Sequence, residues 1–164
     1  MNIALIGMMG SGKSTIGRLL AEKLNLKFID TDEEIIKLSN CSINKIFETQ
    51  GEEAFRTIET IVLSKALKLD NQIIATGGGI IKKEENRSLL KEATTIYLKT
   101  DKNAIFERVK NDTSRPLLNA ENLSNTIEKI LSEREYLYEQ SKITVNTTNK
   151  TPNEIVNEII EKIS

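Results

Sequence analysis

The sequence predicts an α/β fold, a parallel sheet with helices on both faces, and three observations carry that expectation. Short apolar runs that read as strands alternate with helical periodicity along the chain. The first run passes directly into a glycine-rich phosphate-binding pattern that opens a helix. Acidic residues and glycines then fall just beyond later runs, at the carboxyl ends where such sheets hold their ligands.

Ile3-Ala4-Leu5-Ile6 is continuously apolar, as a strand buried on both faces should be. Gly7-Met8-Met9-Gly10-Ser11-Gly12-Lys13-Ser14-Thr15 follows with the full G-x-x-x-x-G-K-S spacing. Glycines let the backbone curl until several N–H groups converge on one phosphate, and the helix N-terminus adds its dipole. Lys13 supplies a mobile charge and Ser14 a hydroxyl for Mg²⁺, so a nucleoside triphosphate is the expected ligand, held by Gly10, Ser11, Gly12, Lys13, Ser14 and Thr15. Ile16, Leu19, Leu20 and Leu24 recur at helical spacing, and Lys27-Phe28-Ile29 returns as a strand ending at Asp30. Ile73-Ile74-Ala75-Thr76, Thr95-Ile96-Tyr97-Leu98 and Ile143-Thr144-Val145 are the remaining predicted strands. Two stretches exceed plain alternation. Residues 33–69 are almost wholly helical in pattern, broken at Asn40 and Gly51, more than one crossover needs, and are a candidate acceptor site. Residues 111–122 are polar at both ends, lack periodicity and read as a mobile loop.

A length of 164 residues predicts one domain, able to bury a core but too small for a separate substrate domain. Lys and Arg number 23 against 24 Asp and Glu, with a pI near 5.7, so no global positive field invites nucleic acid and a small anionic or neutral substrate is expected. Cys41 is the only cysteine, which excludes an internal disulfide, and no histidine exists. Proton chemistry therefore falls to carboxylates, Lys or Tyr. No apolar run has the length of a membrane span, and Met1-Asn2-Ile3 leads into the first strand without a charged leader, so a soluble cytoplasmic protein is expected.

Beyond the phosphate loop, Asp30-Thr31-Asp32 sets two carboxylates at i,i+2 on the end of a strand, one suited to Mg²⁺ and the other to a substrate hydroxyl. Asp32 also reads as a helix cap before Glu33. Thr76-Gly77-Gly78-Gly79 is either a tight turn or a bare backbone that a ligand can approach. In the helix predicted over 123–138, the apolar stripe of Leu123, Ile127, Ile130 and Leu131 continues at 134 and 138, which turns Arg134 inward. A guanidinium there needs an anion, either a structural acid or a bound carboxylate or phosphate. Arg56 has Glu52 and Glu59 at helical spacing and reads equally as part of a solvated face. Phe47 and Phe55 are core or the walls of a small pocket. Arg115 is an ordinary exposed residue or a charge brought to the transferring phosphoryl group when the loop shuts.

Together these residues make the chain resemble the shikimate kinases, small P-loop enzymes of the nucleoside-monophosphate-kinase-like group. The likeness spans residues 2–160. It rests on the GMMGSGKST loop, D-T-D at 30–32, F-x-x-x-G-E-x-x-F-R-x-x-E at 47–59, T-G-G-G at 76–79, T-S-R-P-L-L at 113–118 and R-x-x-L-Y at 134–138. The resemblance implies a five-stranded parallel sheet in the order 2-3-1-4-5, a substrate-binding helical insertion at about 33–61 and a lid at about 111–122. It implies transfer of the ATP γ-phosphoryl to the 3-hydroxyl of shikimate, on the route to chorismate and the aromatic amino acids, by a monomer using Mg²⁺. By the same likeness Lys13 would bind the β- and γ-phosphates, Ser14 would ligate Mg²⁺ and Asp30 would hold it through water. Asp32 would act as base, Arg56 and Arg134 would clamp the shikimate carboxylate, and Glu59 would orient Arg56. Phe47, Phe55, Gly77, Gly78 and Gly79 would complete the substrate site, with backbone N–H contacts from Gly78 and Gly79. Arg115 would be the lid arginine, Arg108 would lie against adenine, and Lys150 would reach the nucleotide pocket. The rival readings are a gluconate or nucleoside-monophosphate kinase on the same scaffold and a silent nucleotide-binding partner. The paired arginines speak against the first, and the presence of Lys13, Asp32 and Arg115 against the second.

Overall fold

The computed structural model describes residues 1–112 and 122–164, and its centre is a five-stranded, all-parallel sheet in the order β2-β3-β1-β4-β5. The order is the one the resemblance implies. The strands are β1 (Ile3–Ile6), β2 (Lys27–Asp30), β3 (Gln72–Ala75), β4 (Thr94–Lys99) and β5 (Ile143–Asn146). Gln72, Thr94, Lys99 and Asn146 lie outside the expected runs because their side chains are polar, yet their backbones pair in the ladders. Register aligns the strand ends: Leu5 sits opposite Ala75, and Ala75 opposite Asp30. Gly7, Asp30 and Thr76 therefore leave the sheet at one level, which is what gathers the site.

Seven α-helices are described: α1 (Lys13–Leu24), α2 (Thr31–Ser39), α3 (Ile43–Leu67), α4 (Glu84–Leu90), α5 (Lys102–Val109), α6 (Leu123–Tyr138) and α7 (Pro152–Ile163). The surplus helical stretch is α2 and α3. Asn40, left-handed at φ 53°, closes α2, and Gly51 at φ 87° kinks α3. The cap of α2 is Asp30, whose Oδ1 accepts from the N–H groups of Asp32 and Glu33; Asp32 instead lies in the first turn. A β-region residue directly before the first helical N–H groups is what a cap requires, and Asp30 at φ −105° is that residue.

Alternation along each strand sends side chains to two cores. Ala4, Ile6, Ile74 and Tyr97 pack with α3, α4 and α6 on one face, while Ile3, Leu5, Ile73 and Ile96 pack with α1 and α7 on the other. A third cluster, Ile35, Ile46, Phe55 and Val62, joins α2 to α3 and gives the insertion a core of its own. No described helix is long and apolar enough to cross a membrane.

Buried Asn2 fastens the end of α3 to the start of β3. Its amide donates to the carbonyls of Leu67 and Leu69, and its Oδ1 accepts from the N–H of Gln72. Asn2→Ala should lower unfolding stability by about 2–3 kcal/mol, since buried backbone groups lose their partners. Urea denaturation checks this, and an unchanged midpoint would show that water replaces the amide without cost.

Candidate active site

The turn from β1 to α1 curls through Gly7, Gly10 and Gly12, all at positive φ, around a cavity of about 230 Å³ that Lys13, Ser14, Thr15 and Asp30 also line. The Lys13 ammonium is drawn onto its own loop, donating to the carbonyls of Gly7 and Met8 at 2.8 Å and to the buried Ser11 hydroxyl at 3.3 Å. Arg108 reaches across from α5 and donates to the Gly10 carbonyl at 2.7 Å. Ser14 Oγ donates to Asp30 Oδ2 at 2.5 Å. Asp30 thus divides its oxygens, one capping α2 and one facing Ser14. A hydroxyl beside a carboxylate oxygen is a donor set that fits a hard cation such as Mg²⁺. Among the described residues no cluster of three or more His, Cys, Asp or Glu could hold a metal, so phosphate and water would complete the shell, which is the coordination Mg²⁺ favours.

A second cavity, of about 300 Å³, opens between α2, α3 and the carboxyl ends of β1 and β3. Phe47 and Phe55, with ring centroids 4.9 Å apart, form an apolar wall and also pack into the α2–α3 core, so both readings of the pair hold. Charge gathers at the floor. Arg56 Nη1 donates to Glu59 Oε1 at 2.9 Å, and Nη2 to Glu52 Oε1 at 3.4 Å. Arg56 is only 7% exposed and Glu59 is fully buried, so this is a pair withdrawn from solvent and not the solvated helix face that the spacing also allowed. Burial pushes the Glu59 carboxyl above its usual range, with Arg56 pulling against it. Arg134, one of two buried arginines here, faces inward as its helical position predicts, and its Nη1 is buried with no hydrogen-bond partner among the described residues. An unpaired donor at that depth is costly unless an anion meets it.

The triple glycine explains how these charges come so close. None of Gly77, Gly78 and Gly79 has a positive φ, so conformation does not demand glycine there. Space does. A Cβ on Gly77 would lie 2.9 Å from Glu59 Oε2 and 3.0 Å from Asp32 Oδ1, and one on Gly79 would collide with the Arg56 guanidinium. A Cβ on Gly78 would lie 3.2 Å from Met9 N and 3.5 Å from Arg134 Nη1. The bare backbone lets the protein's own charged groups approach, and through them a ligand.

Asp32, Gly77 and Gly78 line both cavities, so the phosphate site and the second site share a wall. Some lining residues carried no signal in the sequence. Met9, Ile36 and Ile43 are ordinary apolar residues, and Asn44, in the first turn of α3, resembles a helix-start residue. Lys150 is not brought to either cavity; it pairs with Glu158 of α7 at 2.6 Å. Arg115 and most of the expected lid lie in residues 113–121, outside the described residues.

Comparison with known proteins points to one family. The family model for shikimate kinase matches residues 9–164. A shikimate kinase from Rippkaea orientalis is 46% identical over 99% of this chain and 87% of its own, and one from Caldicellulosiruptor bescii is 46% identical over 97% of this chain and 93% of its own. Among solved structures, a shikimate kinase from Acinetobacter baumannii in complex with shikimate superposes with a TM-score of 0.97 at 38% identity, covering 99% of this chain and 92% of its own.

The crowding at Gly79 is testable without any ligand. Gly79→Ala should push Arg56 off Glu59 and lower stability by about 1–3 kcal/mol, the cost of overpacking a close-packed site. Thermal or urea unfolding reads the change; a variant as stable as the parent would mean that Arg56 swings aside freely.

Proposed function

The chain belongs to the shikimate kinase family, and we infer that it carries out that family's reaction with the residues assembled around the shared wall. It is an ATP-dependent kinase that phosphorylates shikimate, giving 3-phosphoshikimate and ADP on the route to chorismate and the aromatic amino acids. The observation that carries the assignment of residues is that Asp32, Gly77 and Gly78 border both cavities. A group bound in one therefore meets a group bound in the other.

ATP would place its phosphates in the Gly10, Gly12 and Lys13 loop, with Ser11 and Thr15 in the same turn and Arg108 beside the adenine end. Mg²⁺, held by Ser14 directly and by Asp30 through water, would neutralise phosphate charge. Lys13 is held on the loop by hydrogen bonds to neutral carbonyls and can exchange them for the charged oxygens of phosphate. Shikimate would lie against Phe47 and Phe55, with its carboxylate on Arg134 and Arg56, the latter fixed in orientation by Glu59. Backbone N–H groups of Gly78 and Gly79 would face substrate, and Gly77 would give the room. Asp32 would hold the acceptor hydroxyl and take its proton as the oxygen attacks phosphorus, with the electron pair of the breaking P–O bond leaving on ADP. Arg115, from the lid, would stabilise the charge spreading over the transferred group. In this reading one domain does all of this as a cytoplasmic monomer, with the insertion at about 33–61 as acceptor site. Lys150 remains assigned to the nucleotide pocket by resemblance alone, and its pairing with Glu158 does not support that assignment.

A coupled ADP-release assay tests the reading: ADP should form only with ATP, Mg²⁺ and shikimate together, and comparable turnover with gluconate or a nucleoside monophosphate would refute it. Arg134→Lys keeps the charge but loses the planar fork, and should weaken shikimate binding by about 1–3 kcal/mol while leaving ATP binding nearly unchanged. Equal losses for both substrates would mean that Arg134 braces the fold instead. Arg115→Ala should lower kcat by about 100-fold or more with a smaller change in shikimate KM, as expected for a group that acts mainly in the transition state. Unchanged kcat would remove the arginine from the chemistry.

A further inference from the structure

The turn over Gly77, Gly78 and Gly79 is held by one hydrogen bond from Ile80 N to the Gly77 carbonyl at 3.1 Å, which makes Gly78 and Gly79 its central residues. Gly79 has φ −90° and ψ 8°, the values of the third position of a type I turn. A type II turn keeps the same closing hydrogen bond but has the central peptide rotated by about half a turn, and it prefers glycine at that third position. With glycine at both central sites, no Cβ opposes the rotation. Backbone sterics alone therefore leave this peptide free to face either way.

The choice is made from outside the turn. Tyr138, at the end of α6, donates its hydroxyl to the Gly78 carbonyl at 2.5 Å. The phenol is itself immobilised: it is fully buried, its ring stacks on Tyr97 with centroids 5.1 Å apart, and its oxygen lies 3.9 Å from Met8 Sδ in the phosphate loop. Burial pushes the phenol up from its ordinary range, with the neighbouring Arg134 pulling the other way. Because the peptide is planar and trans, fixing the Gly78 carbonyl toward Tyr138 fixes the Gly79 N–H in the opposite direction. Among the described residues that N–H has no protein acceptor, and Gly79 lines the acceptor cavity.

We propose that Tyr138 is a positioning residue for the phosphoryl-transfer site, its hydroxyl locking the Gly78–Gly79 peptide so that a donor N–H, and not a carbonyl oxygen, faces the substrates. Rotation of the peptide would set a partial negative charge against an anionic acceptor and the transferring phosphoryl group, where a donor is required. The same residue stands one helical turn beyond Arg134, so a single stretch of α6 supplies the inward guanidinium and fixes the peptide beside it. This inference rests on the reading of the acceptor cavity given above.

Tyr138→Phe keeps the ring and its stack on Tyr97 and removes the hydroxyl, and with it the bond to the Gly78 carbonyl and the contacts with Met8 Sδ and Arg134. In the coupled assay it should lower kcat about tenfold and raise shikimate KM several-fold, leaving ATP KM within about twofold, because the freed peptide must be reset when substrate binds. The amide resonance of Gly79, followed by ¹⁵N NMR, should shift and broaden. Tyr97→Phe, which changes the other ring of the stack, is the control and should retain parental kcat and KM. A Tyr138→Phe enzyme with unchanged kcat and shikimate KM, or one whose activity falls only in proportion to unfolded protein, would overturn the inference. An inactive parent enzyme would instead defeat the functional reading on which it rests.

Discussion

The floor of the acceptor cavity is a set of charges buried within a few ångströms of one another, and much of the neighbouring structure follows from the need to keep them compensated. Arg56 and Arg134 are almost wholly withdrawn from water, and Glu59 completely so. Each alone would cost several kcal/mol to bury, so each must find an opposite charge or a donor. Glu59 meets one guanidinium through Nη1, while its other oxygen and one nitrogen of Arg134 have no hydrogen-bond partner among the described residues. The glycine turn exists in this form because any side chain at 77 or 79 would occupy the space through which those groups meet. A rigid scaffold is the other half of the arrangement, since Asp30, Thr76 and the phosphate loop leave the sheet at one level.

What could be read from the amino acids divides along this line. Periodicity exposes whatever repeats: the strands, α6 to its end residues, the break at Gly51 and the inward turn of Arg134. It does not expose relations between distant segments. Asp30 and Asp32 are chemically the same, and only the backbone angle at Asp30 decides which of them caps α2. Arg56, with glutamates at i−4 and i+3, has the pattern of an exposed helix face; it is buried because α3 is pressed against Gly79, some twenty residues further along the chain. Resemblance to the family supplied that position where spacing could not. Tyr138 was visible only as the next residue of an apolar stripe, since nothing local announces that a phenol will reach a carbonyl sixty residues away.

The two methionines of the phosphate loop show how one short turn serves two sites. Met8 is buried beneath Tyr138, while Met9 turns to the acceptor cavity and its backbone N–H lies beside Gly78. Neither is a residue that phosphate binding needs. Their unbranched, polarizable side chains fill the irregular space between loop and turn, so the position of the nucleotide loop and that of the acceptor wall are set by the same contacts. Displacement of one would disturb the other.

Charge also bears on which acceptor the cavity suits. Glu59 takes up the charge of Arg56, and Glu52 at the rim of the same arginine is balanced by Lys82 at 2.9 Å, which leaves one guanidinium charge centred on Arg134. Asp32 stands close to Glu59 beside Gly77 and repels further negative charge. A monoanionic carboxylate matches that remainder and presents the planar pair of oxygens that a guanidinium fork receives. A phosphate monoester close to its dianionic form would bring a second negative charge into a low-dielectric space where the neighbouring cation, Lys82, is already paired with Glu52. The walls add to this: Phe47 and Phe55 offer apolar surface to a compact ring. Selection of a small hydroxylated carboxylate over a nucleotide acceptor thus follows from how many buried charges are already paired before the substrate arrives.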